Sequence, residues 1–571
     1  MEKQEFFNNY HHILKECNKP SRYIGGEFLS ANKDFNSAEV TMALAFPDKY
    51  EIGISNFGHK ILYNLINNVP NFMADRIYAP EPDFLEKLIE KNALLYALES
   101  KEPLNKFDFV GFALQYELSY TTLLKMLEVS KIPVLNSDRV DGDPIILAGG
   151  PCAYNPLPIS KFVDLFLIGD GEDSTLEIME LYSKLKKEGR NREEIIEELS
   201  KIEGLYSPKY SKTVKKRISQ LKLETAPVKS PIPHFESVHD RVTVEIRRGC
   251  SRLCRFCQSA HTNLPIRERP KEDVETLVKE YVKNTGYGEY SLLSLSSNDH
   301  TQIEDIIFDL NDYFKGSGVS VSLPSQRADK FSLRLANLMQ EVRKSAVTIA
   351  PEAGTQRLRD IIKKNLTTEQ ILSATLACIQ SGWQKIKYYL MIGLPFETYE
   401  DIEGIAELFE NVNNEVKKLG IKLPQITCSI SIFVPKPFTP FGFAPQNSLE
   451  EIYKKITFLK EKAAKYRNVR LNFHTPRLSQ VEAFLTRGDE RVADFIYELY
   501  KEGSYLDSWD ENFSYDKYVE VASRLGLDIE AEATKAYPVD KQLPWDFIEI
   551  NYDKKYFIDQ YKEAKARAEL N

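Results

Sequence analysis

Cysteine is scarce: there are seven in 571 residues. An odd, low count excludes a disulfide framework. Long apolar runs are missing as well. No stretch of about 18 uncharged apolar residues occurs, so no membrane-spanning helix is expected. The segment MEKQEFFNNYHHILKECNK has neither an apolar run nor a small-residue cleavage site, so no secretory signal is read. The expected compartment is the cytoplasm, where thiols stay reduced and clustered cysteines bind metal. Excess positive charge is absent too: Lys plus Arg number 75 against 84 Asp plus Glu, a formal charge of −9. Bulk charge would not hold such a chain to nucleic acid, although a local basic patch could. No repeat of fixed period and no long low-complexity tract is found. What remains is an ordinary globular mixture, 42% apolar and 28% charged, which argues against wholesale disorder.

The apolar pattern predicts an α/β fold. Up to about residue 215, short apolar runs read as buried strands at 40–46, 107–113, 144–148 and 162–168. Between them, Tyr120, Leu123, Leu124 and Leu127 recur at helical spacing. Alternating strands and helices imply a parallel sheet covered on both faces, with ligands at the carboxyl ends of the strands. Two glycine turns sit at such ends, Ala148 to Pro151 and Ile168 to Glu172. Residues 216–240 combine a basic stretch with spaced prolines and read as a linker. From 241 to 445, six strand-like runs at 242–247, 290–295, 318–323, 346–350, 386–392 and 426–433 leave room for helices between them. Six β/α units predict a partial barrel with its chemistry on the loops after the strands. Residues 446–571 read as mainly helical, with the short strand NVRLNF separating the barrel from those helices.

Cys250, Cys254 and Cys257 fall in RRGCSRLCRFCQSA, directly after the first barrel strand, with spacing C-x-x-x-C-x-x-C. Thiolates suit iron–sulfur clusters or zinc. A cubane cluster is usually held by four cysteines, so three leave one iron open to a substrate or cosubstrate. Two other readings stand beside this one: a zinc site completed by His261, and three unrelated core cysteines. Cys17, Cys152, Cys378 and Cys428 read as small core residues, Cys152 being the one worth testing for a role.

On these residues the chain resembles the radical S-adenosylmethionine (SAM) superfamily. The resemblance implies that Cys250, Cys254 and Cys257 ligate a [4Fe–4S] cluster whose open iron binds SAM. It also implies that Phe256 lies near the adenine. Ser296 and Ser297 would meet the amino group after the second strand, and Ser325 and Arg327 the ribose and carboxylate after the third. Glu352 would meet ribose hydroxyls after the fourth, and Gly393 and Pro395 the adenine after the fifth. Arg357 and Arg359 follow Glu352. The N-terminal sheet followed by this barrel resembles an uncharacterised radical SAM subfamily with a cobalamin-binding-like domain. There Gly149, Gly150, Pro151, Gly169, Gly171 and Glu172 would line the corrin and its nucleotide tail. The other reading of those turns is tight strand–helix connection in an empty Rossmann-like domain. The D-x-H-x-x-G motif is missing, and the nearest histidine, His59, reads as a surface or packing residue.

The resemblance implies reductive cleavage of SAM, with methyl transfer to an unactivated carbon if cobalamin binds. The alternatives are cobalamin-independent modification of RNA or protein, and a non-catalytic scaffold that binds the cluster or SAM. Methylthiotransferases carry three more N-terminal cysteines, and only Cys17 and Cys152 precede Cys250 here. The implied partners are an electron donor such as flavodoxin or ferredoxin and a substrate of unknown class. Nucleic acid is not excluded, because Arg247, Arg248, Arg252, Arg255, Arg267 and Arg269 surround the cysteines. They read either as a local track or as compensation for thiolates and the SAM carboxylate.

Overall fold

The computed structural model describes residues 3–331, 333–340 and 347–570. The chain forms two compact units. The first comprises Met1–Asp240, Gly488–Gly526 and Leu543–Ile550; the second Arg241–Arg487, Leu527–Gln542 and Asn551–Asn571. The expected linker 216–240 therefore lies within the first unit, and the C-terminal region divides between both. Among the described residues, no helix is long and apolar enough to cross a membrane.

The first unit is built on a six-stranded sheet. Its strands are β1 (Val40–Phe46), β2 (Phe72–Tyr78), β3 (Phe109–Ala113), β4 (Ile145–Gly149), β5 (Leu165–Leu167) and β6 (Leu205–Tyr206). Their spatial order is 2-1-3-4-5-6, all parallel except β6. Burial on both faces explains the continuous apolar runs that betrayed four of them. Strand β2 escaped the sequence reading because Asp75 and Arg76 interrupt it. Both are nonetheless buried, at 0% and 3% exposure. Asp75 accepts the backbone N–H groups of Glu99 and Ser100 at 2.8 and 2.7 Å, while Arg76 donates to Glu27 at 2.9 Å and to Glu99. A buried charge is tolerable only with such partners. The predicted helix is present as Tyr120–Val129, and Tyr120, Leu123, Leu124 and Leu127 are all buried.

The second unit holds a partial barrel of seven parallel strands in two arcs. β7 (Val242–Glu245), β8 (Glu289–Leu293) and β9 (Ser320–Ser322) form one. β10 (Val347–Glu352), β11 (Lys385–Ile392), β12 (Gln425–Ile432) and β13 (Val469–Phe473) form the other. The six predicted runs all carry strands, although Ala346, first in its run, lies outside the described residues. NVRLNF corrects the expectation: it is no separator but a seventh barrel strand, paired in parallel with β12. Alternation sets the inner face. On β11, Ile386, Tyr388, Leu390 and Ile392 are buried while Lys385 and Tyr389 are exposed, and Tyr389 lines the central cavity.

Candidate active site

The loop after β7 carries the three cysteines. Its shape is set by backbone bonds to distant loops. Arg255 N–H donates to the Ile362 carbonyl at 3.0 Å, and Phe441 N–H donates to the Arg255 carbonyl at 3.1 Å. Within the loop, Cys257 N–H closes onto the Cys254 carbonyl at 3.0 Å. The Arg255 side chain is buried and donates to the Ile361 carbonyl at 2.7 Å. It also pairs with Glu563, at 2.9 Å, on the C-terminal helix Lys554–Leu570. Phe256 packs against a core that includes Ile361, Phe441 and, from that helix, Ala564. The C-terminal helix thus holds the cysteine loop from behind.

In front of it lies a cavity of about 750 Å³, reaching along the strand ends of the barrel. Cys250, Cys254 and Cys257 all line it, with Phe256, Ser296, Ser325, Arg327 and Glu352. Ser297, Gly393 and Pro395 are not among its lining residues. The Ser297 hydroxyl is buried and donates to the Leu292 carbonyl at 3.1 Å. Gly393 N–H donates to Glu397 at 2.7 Å. Ser296 Oγ donates to Asp299 at 2.8 Å.

Lys364 lines the same cavity and was missed by the sequence reading. Its ammonium pairs with Glu352 at 3.0 Å. Burial works against that charge, but Glu352 and the nearby Cys254 more than offset it, so its pKa lies above the ordinary lysine value. Glu352 reaches this position with φ of 68°, at a register shift in the β10–β11 ladder. Lys364 follows the turn whose carbonyls bind Arg255, and nothing in its local sequence marks it as a site residue.

The arginines around the cysteines are largely spent on the protein itself. Arg252 pairs with Asp299 at 2.9 Å, Arg248 with Glu245 at 2.7 Å, and Arg327 forks onto Asp329 through two 2.9 Å bonds. Arg247 is buried 3.6 Å from Glu268. Arg267 and Arg269 are buried and donate to backbone carbonyls. Beyond Glu352, Arg357 bonds Asp401, and Arg359 is fully buried among the carbonyls of Ala353, Gly354 and Leu366. This interior stitching argues against a basic track in the second unit.

The metal readings divide on geometry. Among the described residues, no three His, Cys, Asp or Glu side chains converge tightly enough for a single metal ion. His261 is buried, does not line the cavity, and uses Nδ1 on the Cys257 carbonyl at 2.8 Å. A tetrahedral zinc needs four convergent donors. The three thiols, by contrast, all line one cavity. Burial, then the neighbouring Cys254, push the Cys257 thiol up to about 12, and burial raises Cys254 as well. The remaining four cysteines are buried, as small core residues should be.

The glycine turns of the first unit are used by their own chain. Gly150 and Gly169 take φ of 106° and 107°. A Cβ there would lie 2.6 Å from the Leu114 carbonyl oxygen and 2.2 Å from that of Arg217. Gly149 ends β4, Pro151 opens the short helix after it, Gly171 precedes the helix Glu172–Lys187, and Glu172 is buried. His59 lies in the helix Phe57–Asn67 and is buried among the rings of Phe46 and Tyr78, a packing residue with no surface role.

Two family models match the chain: one described as the N-terminal part of radical SAM proteins, over residues 58–208, and one as the radical SAM superfamily, over 244–409. The chain is a radical SAM enzyme. Its first unit has a Rossmann-like, cobalamin-binding-like fold. An uncharacterised protein of Methanocaldococcus jannaschii is 29% identical over 483 residues, 84% of this chain and 95% of that one. A tRNA-2-methylthio-N(6)-dimethylallyladenosine synthase of Bdellovibrio bacteriovorus is 26% identical over 34% of this chain and 42% of its own length. The solved TsrM of Kitasatospora setae is a radical SAM methyltransferase with cobalamin and a [4Fe–4S] cluster bound. It matches with a TM-score of 0.53 and 13% identity, covering 80% of this chain and 99% of that one. At that identity the likeness is one of fold.

Proposed function

We propose that Cys250, Cys254 and Cys257 hold a [4Fe–4S] cluster and that the cavity before them binds SAM against its open iron. The observation that carries this reading is the convergence of three thiols, Phe256 and Lys364 on one cavity at the strand ends. When bound and reduced by an electron donor such as flavodoxin or ferredoxin, the cluster supplies the electron that splits SAM into methionine and a 5′-deoxyadenosyl radical. The chain's own residues bind and orient. Lys364 and Arg327 both line the cavity, each paired with one carboxylate, and offer it cations suited to a carboxylate. Phe256 offers an apolar edge for adenine, and Ser325 and Glu352 offer polar groups for ribose.

Anaerobic reconstitution with iron and sulfide, followed by optical and electron-spin spectroscopy, tests this. The expected result is one cluster per chain, lost in the triple Cys→Ala variant, and release of 5′-deoxyadenosine on addition of SAM and a reductant. A variant lacking all three cysteines that retains the cluster would sink the assignment. The finer reading, methyl transfer to an unactivated carbon, needs a corrinoid on the first unit. A second reading is cobalamin-independent modification of RNA or protein. It is favoured by the way the first unit fills its own glycine turns, and by similarity to the tRNA-modifying synthase over 204 residues. S-adenosylhomocysteine formed only with hydroxocobalamin present supports methyl transfer; 5′-deoxyadenosine alone supports the second reading.

A further inference from the structure

A doubly wound sheet binds ligands outside the carboxyl ends of its strands, at the point where the strand order reverses. In the first unit that point lies between β1 and β3. The segments that would frame the crevice follow β1 at Asp48 and Lys49, β2 at Pro80, and β3 at Thr121 and Thr122, in the first turn of the helix Tyr120–Val129. All are engaged by one segment of the same unit, Tyr505–Phe513. Trp509 Nε1 donates to Asp48 Oδ1 at 2.7 Å, and Lys49 Nζ sits 3.9 Å from the centre of the indole. Thr121 Oγ1 donates to Asp507 at 3.0 Å, Leu506 N–H donates to Thr122 Oγ1 at 2.9 Å, and the Tyr505 hydroxyl donates to the Pro80 carbonyl.

The hold on this segment is graded. Tyr505, Leu506 and Asp507 are buried, and Asp507 also accepts the Tyr518 hydroxyl at 2.8 Å. Leu506 takes φ of 53°, so the chain turns sharply there. Beyond the turn, Ser508 and Trp509 are half-buried and Asp510 and Glu511 exposed. That outer part is tied to the crevice loops by the side-chain hydrogen bonds of Trp509 and Ser508 to Asp48, the Lys49–indole contact and a 3.3 Å Lys49–Glu511 pair. The Lys49–indole contact, with Lys49 only 15% exposed, is worth about 1–2 kcal/mol, and the pair with Glu511, which is 61% exposed, about 0–1 kcal/mol. The outer part can therefore lift while the buried anchor stays.

We propose that residues 508–513 are a plug in the ligand crevice of the first unit, which a corrinoid must displace before it can bind. As folded, the crevice offers a corrin no open bed, because an indole and its hydrogen bond occupy the carboxyl end of β1. The cobalamin-like fold and the filled crevice are reconciled if occupancy is gated by this segment. The inference concerns the first unit alone and does not depend on the cluster.

The test is titration of the full chain with hydroxocobalamin, followed by absorbance, with hydrogen exchange read over 505–513. Trp509→Ala removes the ring, and Trp509→Phe keeps a ring but loses the N–H donor. The expected result is at least tenfold tighter binding by Trp509→Ala than by the natural chain, an intermediate value for Trp509→Phe, and loss of exchange protection over 508–513 on binding with protection kept over 505–507. Equal affinity in all three proteins with protection retained would overturn the proposal. So would the absence of saturable binding in all three, given that each variant keeps the natural circular dichroism spectrum.

Discussion

Arg255 ties the cysteine loop to the C-terminal helix, and replacing it by Met tests whether that tie holds the site together. The guanidinium is 1% exposed and donates to the Ile361 carbonyl at 2.7 Å. Stranding a buried acceptor costs about 1–3 kcal/mol. The pair with Glu563 adds little, because Glu563 is 43% exposed and a solvated pair is worth about 0–1 kcal/mol. Against these losses, Arg255 Nε is buried without a hydrogen-bond partner, and Met removes that polar atom. The net expectation is destabilisation of the second unit by about 2 kcal/mol, with Glu563→Gln costing under about 1 kcal/mol. Urea unfolding measures the first quantity. Hydrogen exchange over 250–257 and 554–570 locates it, and iron retained after reconstitution reports whether the loop still holds its ligands in place. A Met variant within about 0.5 kcal/mol of the natural protein, the range of an ordinary surface change, would refute the reasoning. Equal losses from Arg255→Met and Glu563→Gln would refute it too, by moving the weight to the ion pair.

Three further outcomes are expected. His59 is fully buried, and burial, with Arg76 adding to it, pulls its pKa down to about 3. The unfolded chain then binds a proton below about pH 6.5 that the folded chain refuses, so stability is full above that pH and falls as pH drops; at about 1.36 kcal/mol per unit, the loss between pH 6.5 and 5 is about 2 kcal/mol. Urea midpoints at the two pH values, with His59→Asn flattening the slope, check this. Asp164 takes Arg139 at 2.9 Å, Arg192 at 2.6 Å and the Ile146 N–H at 2.7 Å, so Asp164→Asn leaves two buried guanidiniums short of their counter-ion. Breaking a buried pair costs about 3–5 kcal/mol, and a thermal melt of the first unit should show it. Glu397 and Lys455 form a second such pair, 2.8 Å apart and 1% and 4% exposed, and Glu397 also accepts the Gly393 N–H. Glu397→Gln should destabilise the second unit by about 3–5 kcal/mol; a melting temperature unchanged from the natural protein would contradict this.

The barrel was readable because its strands obey a local rule. Half-buried strands alternate and fully buried ones run continuously apolar, so all six expected runs became strands. The cysteine motif was readable for the same reason, since three ligands within eight residues need no distant partner to be seen. Where long-range partners compensate for a locally unfavourable residue, the reading failed. β2 carries Asp75 and Arg76, which look exposed until Glu27 and Glu99 are brought to Arg76 and two N–H groups to Asp75. NVRLNF is too short to declare its role, and only pairing with β12 makes it a seventh strand.

By itself, then, the sequence determined the α/β class, the barrel's six predicted strands and the three cysteines. These depend on periodicity and spacing within a few residues. Tertiary structure alone decided how the cations that line the cavity are held. Arg252 is paired with Asp299 and Lys364 with Glu352, while Arg327 forks onto its near neighbour Asp329. It also decided that Tyr505–Phe513, far along the chain from β1, closes the crevice at that strand's end. Arg252 and Asp299 stand 47 positions apart and Trp509 and Asp48 461 apart, and no local pattern encodes contacts of that range.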